Sequence, residues 1–128
     1  PYNRLLIPIG IRHDTAIGCL IKVAQELPIR PREIWSVGSS GTLSRSLQLA
    51  FPLATVHVVS VGHTMQPDDI GRAVFHKSPY KFDKPVGLLD IPPFPSAPTY
   101  DAKAWSVMKA WHSDNPPEGP VLFWNVGA

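Results

Sequence analysis

At 128 residues the chain is long enough for one domain with a real core and too short for two, so residues 1–128 are expected to form a single unit. Its 12 basic and 10 acidic residues leave a net charge of +2 and are scattered, without the basic stripe that nucleic-acid binding requires. A lone cysteine excludes an internal disulfide framework, and no apolar run reaches the length of a membrane span or signal sequence; a cytoplasmic protein without nucleic-acid or membrane partners is expected.

In chain order, "RLLIPIG" (Arg4 to Gly10) reads as a short buried strand. The following "DTAIGCLIKVAQEL" sets Ile17, Leu20, Ile21, Ala24 and Leu27 on one helical face behind an Asp14 or Thr15 cap. "EIWSV" (Glu33 to Val37) is a second strand, and the helix after it carries Leu43, Leu47 and Ala50 at helical spacing until Pro52 stops it. "ATVHVVSVG" (Ala54 to Gly62) is β-branched and nearly continuously apolar, as a strand covered on both faces of a parallel sheet must be. From His63 to Pro98 the pattern is irregular: "DDIGRAVFHKS" suits a helical turn or an edge strand, and the proline-rich "IPPFPSAP" suits neither helix nor strand. "TYDAKAWSVMKAWH" (Thr99 to His112) is a helix with Ala104, Met108 and Trp111 inward, and "PVLFWNVGA" closes the chain with an apolar strand. The alternation predicts an α/β fold, a three-layer Rossmann-like domain whose mainly parallel sheet of about four strands is flanked by helices. Strands near residues 4–8, 33–37, 55–61 and 121–126 should share that sheet, with 33–37 in the interior.

Ligands of open α/β sheets gather at the carboxyl ends of the strands. Here those ends are small or polar, and the most pointed is "SVGSSGT", where Gly38, Ser39, Ser40, Gly41 and Thr42 join a strand to a helix. Backbone N–H groups at a helix start suit a phosphate or carboxylate, and three hydroxyls can add donors. No lysine follows the second glycine, as a Walker A loop requires, and the three-glycine dinucleotide spacing is missing. The alternative is a tight connection with Thr42 or Ser40 as N-cap and no ligand.

Other groups carry less. The 5 histidines show no paired metal-ligand spacing and one cysteine builds no zinc site, so no metal is expected. His63 with Asp68 and Asp69 reads as a solvated loop before it reads as an acid–base group. Cys19 reads as a small core residue, and the four tryptophans as core or interface.

Four stretches in order, "PYNRLLIPIG", "SVGSSGT", "PTYDAKAW" and "PEGPVLFWNVGA", span nearly the whole chain and carry a resemblance. The chain resembles the carboxyl-terminal part of the fold-type II pyridoxal-phosphate enzymes, the tryptophan synthase β-like superfamily. It is most similar to the branch of aminocyclopropane-carboxylate deaminase and D-cysteine desulfhydrase. The resemblance implies that Gly38, Ser39, Ser40, Gly41 and Thr42 cradle the cofactor phosphate. It implies that Tyr100 is an active-site tyrosine, and that Asp101 stands where those enzymes place a glutamate beside the pyridine nitrogen. A carboxylate there keeps the ring nitrogen protonated and strengthens the cofactor as an electron sink. Without the resemblance, Tyr100 and Asp101 read as a helix start, with Asp in the first turn and Tyr stapled to the core.

In that family the Schiff-base lysine and the substrate-carboxylate loop precede the matching segment. Lys22, Lys77, Lys81, Lys84, Lys103 and Lys109 occupy none of those positions and are expected at the surface. The resemblance therefore implies the phosphate-binding half of a lyase or deaminase acting on a small amino acid, incomplete for catalysis alone and leaving its status as an enzyme open. Pyridoxal phosphate is the implied cofactor, or phosphate or sulfate in its place. A homo-oligomer, or a complementing chain carrying the other half, is the implied partner. The alternative is a non-catalytic α/β module binding a phosphorylated small molecule or a partner chain.

Overall fold

Apolar strands separated by helices pack as a parallel sheet, because each helix returns the chain to the end from which the next strand starts in the same direction. A computed structural model of the chain describes residues 14–38, 41–62, 65–80 and 84–125. Along them run α1 (Asp14–Gln25), β1 (Glu33–Gly38), α2 (Thr42–Ala50), β2 (Thr55–Ser60), α3 (Pro67–Ile70), β3 (Val74–Lys77), a 3-10 turn (Leu88–Asp90), α4 (Asp101–Asp114) and β4 (Val121–Trp124). The four strands form one sheet in the order β3-β2-β1-β4, every pair parallel. β1 lies in the interior, as expected. The expected strand at residues 4–8 lies outside the described residues. The fourth strand described is β3, from the stretch that the sequence leaves between helical turn and edge strand; it contains both, α3 and then β3.

Both faces of the sheet are covered. On one, Ala24 and Leu27 of the α1 segment and Leu47 and Ala50 of α2 meet Ile34, Val56 and Trp124. On the other, Ala104, Trp105 and Met108 of α4 meet Trp35, Val37, Val59 and Val61. The result is a three-layer α/β domain, Rossmann-like in architecture. Of the stripes read from the sequence, Ala24, Leu27, Leu47, Ala50, Ala104 and Met108 are buried, whereas Ile21, Leu43 and Trp111 are half-buried at the margins. β3 alternates half-buried and exposed residues, the pattern of an edge strand.

The short α3 and the turn after it hold α2 at both ends. At its start, Gly41 is the N-cap residue with φ 87°, a left-handed conformation. A β-carbon there would lie 2.5 Å from the Asp69 carbonyl oxygen and 2.9 Å from the Asp69 Cβ. Arg45 of α2 donates to the Asp68 carbonyl, and Gln48 Nε2 to the Ile70 carbonyl at 2.9 Å. At the other end, the carbonyls that a helix C-terminus leaves without intrahelical donors are met by one side chain. The Arg72 guanidinium donates to the carbonyls of Gln48 (2.9 Å), Phe51 (2.9 Å) and Ala54 (2.8 Å), while the Arg72 N–H donates to Gln48 Oε1 at 3.0 Å.

Two stability predictions follow from this grip on α2. Arg72→Ala removes three charge-assisted hydrogen bonds near the surface and should lower unfolding free energy by about 1–2 kcal/mol in urea titrations, with Arg72→Lys recovering less than half because an ammonium lacks the planar fork. Gly41→Ala combines a left-handed backbone with overlap against Asp69 and should cost about 2–4 kcal/mol by the same measurement. An alanine variant as stable as the parent chain would refute the packing account of Gly41.

Candidate functional site

The glycine turn sits at the carboxyl end of β1, where the sheet order puts β2 on one side and β4 on the other. Gly38 is buried, and a β-carbon on it would press against Val58 Cγ2 at 2.5 Å and Met65 Sδ at 3.1 Å. Both glycines therefore stand where the chain's own atoms come close. A side chain at position 41 points at Asp69 rather than into open space, which differs from the reading in which that space receives an anion. The expected cap also differs: Gly41, which has no side chain, caps α2, and Thr42 is its first helical residue. The first turn of α2 carries no acidic residue, so its positive end is not offset from within the helix. Ser39 and Ser40 lie outside the described residues, as does His63 of the weaker acid–base group.

Tyr100 and Asp101 reach the same end of the sheet by way of α4. His112, near the end of that helix, pairs with Glu33 at the start of β1, so α4 runs against the strands. At 1.5 Å per helical residue, Asp101 lies about 16 Å back along α4; at about 3.3 Å per strand residue, Gly38 lies about as far along β1. Asp101 is consequently level with the glycine turn, on the α4 side of the sheet. Tyr100 is the N-cap residue of α4, half-buried against the aromatic layer that includes Trp35 and Trp105. Asp101 is the first helical residue and fully buried, at 0% exposure. Both are at a helix start, and the helix start by itself accounts for an acid in the first turn.

Lys103 corrects an expectation. Its side chain is 0% exposed rather than solvated, because the first turn of α4 is enclosed where the helix settles on the sheet. Neither Asp101 nor Lys103 is without an interaction. Beside this turn, Val86, Ile91, Pro92, Phe94 and Ala102 line an apolar groove of about 210 Å³. The proline-rich segment forming it is fastened to the end of β4, where Asn125 Nδ2 donates to the Pro95 carbonyl at 2.8 Å and Asn125 Oδ1 lies 3.1 Å from Ser96 Oγ.

Toward the other end of the sheet the fold assembles a group that the sequence does not signal. His57 on β2 lies with Nδ1 2.9 Å from Nε2 of His76 on β3, stacked flat on Trp35 with ring centres 4.1 Å apart. Trp35 Nε1 donates to Glu33 Oε2 at 2.6 Å, and the same oxygen meets His112. Burial pushes His57 down to about 4, against the pull of Glu33 and with the help of His76 and His112. Burial also lowers His76. Burial works to raise Glu33, but hydrogen bonds with His112 and Trp35 outweigh it and hold the carboxyl below its ordinary range. Among the described residues, no group of three or more His, Cys, Asp or Glu side chains is arranged to hold a metal ion. None of the described helices is long and apolar enough to cross a membrane.

No family model matches the chain, and no curated protein does. Solved structures do. One, described as an ACC deaminase homologue, superposes with a TM-score of 0.69 at 13% sequence identity, over 87% of this chain and 44% of its own. The chain thus shares the fold of that structure and spans less than half its length.

Proposed function

We propose that the chain is the phosphate- and ring-binding half of a pyridoxal-phosphate-dependent lyase or deaminase fold acting on a small amino acid. One observation above all supports the reading: a fully buried carboxylate, Asp101, level with a glycine turn across the carboxyl end of β1, in a fold shared with an ACC deaminase homologue. The helix start at Gly41 and Thr42, with no acid in its first turn, fits the phosphate end. In this reading Gly38, Ser39, Ser40, Gly41 and Thr42 hold the phosphate. Asp101 accepts a hydrogen bond from the ring nitrogen and keeps its proton in place. Tyr100, at the head of α4, faces the substrate side. When bound, the cofactor supplies an electron-accepting ring for charge developing on the amino acid. In this reading the part played by these residues is to hold the phosphate and the ring of the cofactor.

A second reading is a non-catalytic module for phosphorylated small molecules or a partner chain, and the packing of the two glycines bears on the partner-chain form of it. Because Asp69, Val58 and Met65 account for both, the turn needs no ligand to explain it.

Calorimetric titration distinguishes them. Pyridoxal phosphate should bind, and inorganic phosphate should compete. Asp101→Asn should weaken the cofactor about tenfold, about 1.4 kcal/mol, while leaving phosphate affinity unchanged, provided circular dichroism shows the variant folded. Equal affinity of both proteins for the cofactor would remove Asp101 from the site; binding of phosphate with no preference for the cofactor would support the second reading; absence of both would remove the anion site.

A further inference from the structure

We propose that the His57–His76 pair is an acid-sensitive latch that fastens the edge strand β3, and through it α3, onto the glycine turn. The inference stands apart from any cofactor. Two imidazoles with nitrogens 2.9 Å apart are bonded through one proton, one ring donating and the other accepting. His57 is 2% exposed, covered by the face of Trp35 and the edge of Trp111, 5.4 Å from its ring centre. His76 is half-buried, with Trp111 edge-on at 5.0 Å. A first added proton places a charge in this aromatic enclosure. A second removes the acceptor and sets two N–H groups against each other.

The charged and titratable groups facing the pair come from three elements. Glu33 of β1 favours protonation of His57, but its carboxylate is already engaged by Trp35 and His112. His112 of α4 opposes it, and His57 and His76 oppose each other across β2 and β3. Lys77, next along β3, is exposed and belongs to the alternate face. Burial decides the balance: His57 and His76 are both less basic in the fold than when released, with His57 down at about 4. The released state binds more protons below the ordinary histidine value of 6.5, so the latch is whole above that pH and lost as pH falls toward 4.

What the latch holds is set by connectivity. Among the described residues β3 pairs only with β2, over His57 to Ser60, and Arg72 and α3 directly precede it. The main chain of Asp69 in α3 is the neighbour that closes on Gly41. Freeing β3 therefore removes one of the two fastenings of that cover and leaves it to the hydrogen bonds of Arg45, Gln48 and Arg72 with the α2 segment.

Hydrogen–deuterium exchange of the parent chain from pH 7.5 to 4.5, corrected for intrinsic rates, tests this. Amides of residues 67–77 should lose at least tenfold protection relative to β1 between pH 6.5 and 4.5. His76→Phe, which keeps a ring at the half-buried position, should reduce that dependence to the part that buried His57 contributes alone. Retained protection of 67–77 at pH 4.5, loss in step with β1, or an unchanged profile in His76→Phe would each overturn the latch. The parent profile decides alone should the variant fail to fold.

Discussion

Burying β1 on every side is the constraint from which the rest of the domain follows. Ile34, Trp35, Ser36, Val37 and Gly38 are all buried, so this strand has neither a solvent face nor a free edge. Its backbone groups require a neighbour on each side, which β2 and β4 supply, and its side chains require a layer above and below, which the helices supply. The price is visible at Ser36, whose hydroxyl is buried with no hydrogen-bond partner among the described residues. A strand so enclosed can end only where a residue without a side chain lets the chain out. Gly38 is that residue, with Val58 and Met65 closed around the exit. The candidate site thus lies at the opening of the most enclosed element of the fold.

What the sequence made legible was whatever repeats with a clear period over enough residues. β1, β2 and β4 are apolar runs bounded by turns, and Leu47 and Ala50 of α2 and Ala104 and Met108 of α4 are buried at helical spacing, although the whole first turn of α4 is buried with them. β3 did not stand out, because four residues alternating between half-buried and exposed match a loop as well as an edge strand. The turn at Gly38–Thr42 was readable as a turn. That Asp69 fills the space beside Gly41 was not, since it depends on where α3 comes back against the helix. The same holds for Lys103, whose residue type argues for solvent while its place in the first turn of α4 encloses it. His57, His76 and His112 are distant in sequence and meet only through the pairing of Trp35 with His57 and of Val59 with His76. Register between strands is the information a single sequence withholds.

The likeness to an ACC deaminase homologue at 13% identity illustrates which part of a chain is held by packing and which is free to change. Sheet order and helix layers need only apolar residues of about the right size at the right period. A reaction needs named atoms at named places, and those do not travel with a fold. The glycine turn belongs to both categories. Packing demands Gly38 and Gly41, and the same turn opens α2 with no acidic residue in its first turn.

The partners of β1 are unequal in chain distance. β2 follows it after one helix, whereas β4 is the last strand and pairs Val121 with Glu33 across nearly the whole described length. Contacts between near neighbours in sequence form early and distant ones late, because loop closure is costly before it is rewarded. During synthesis, then, the interior strand β1 stands with one bare edge until β4 has been made. Each nascent chain passes through a state that invites pairing with another. The order in which the strands are written therefore leaves the β4 edge of β1 open longer than the β2 edge.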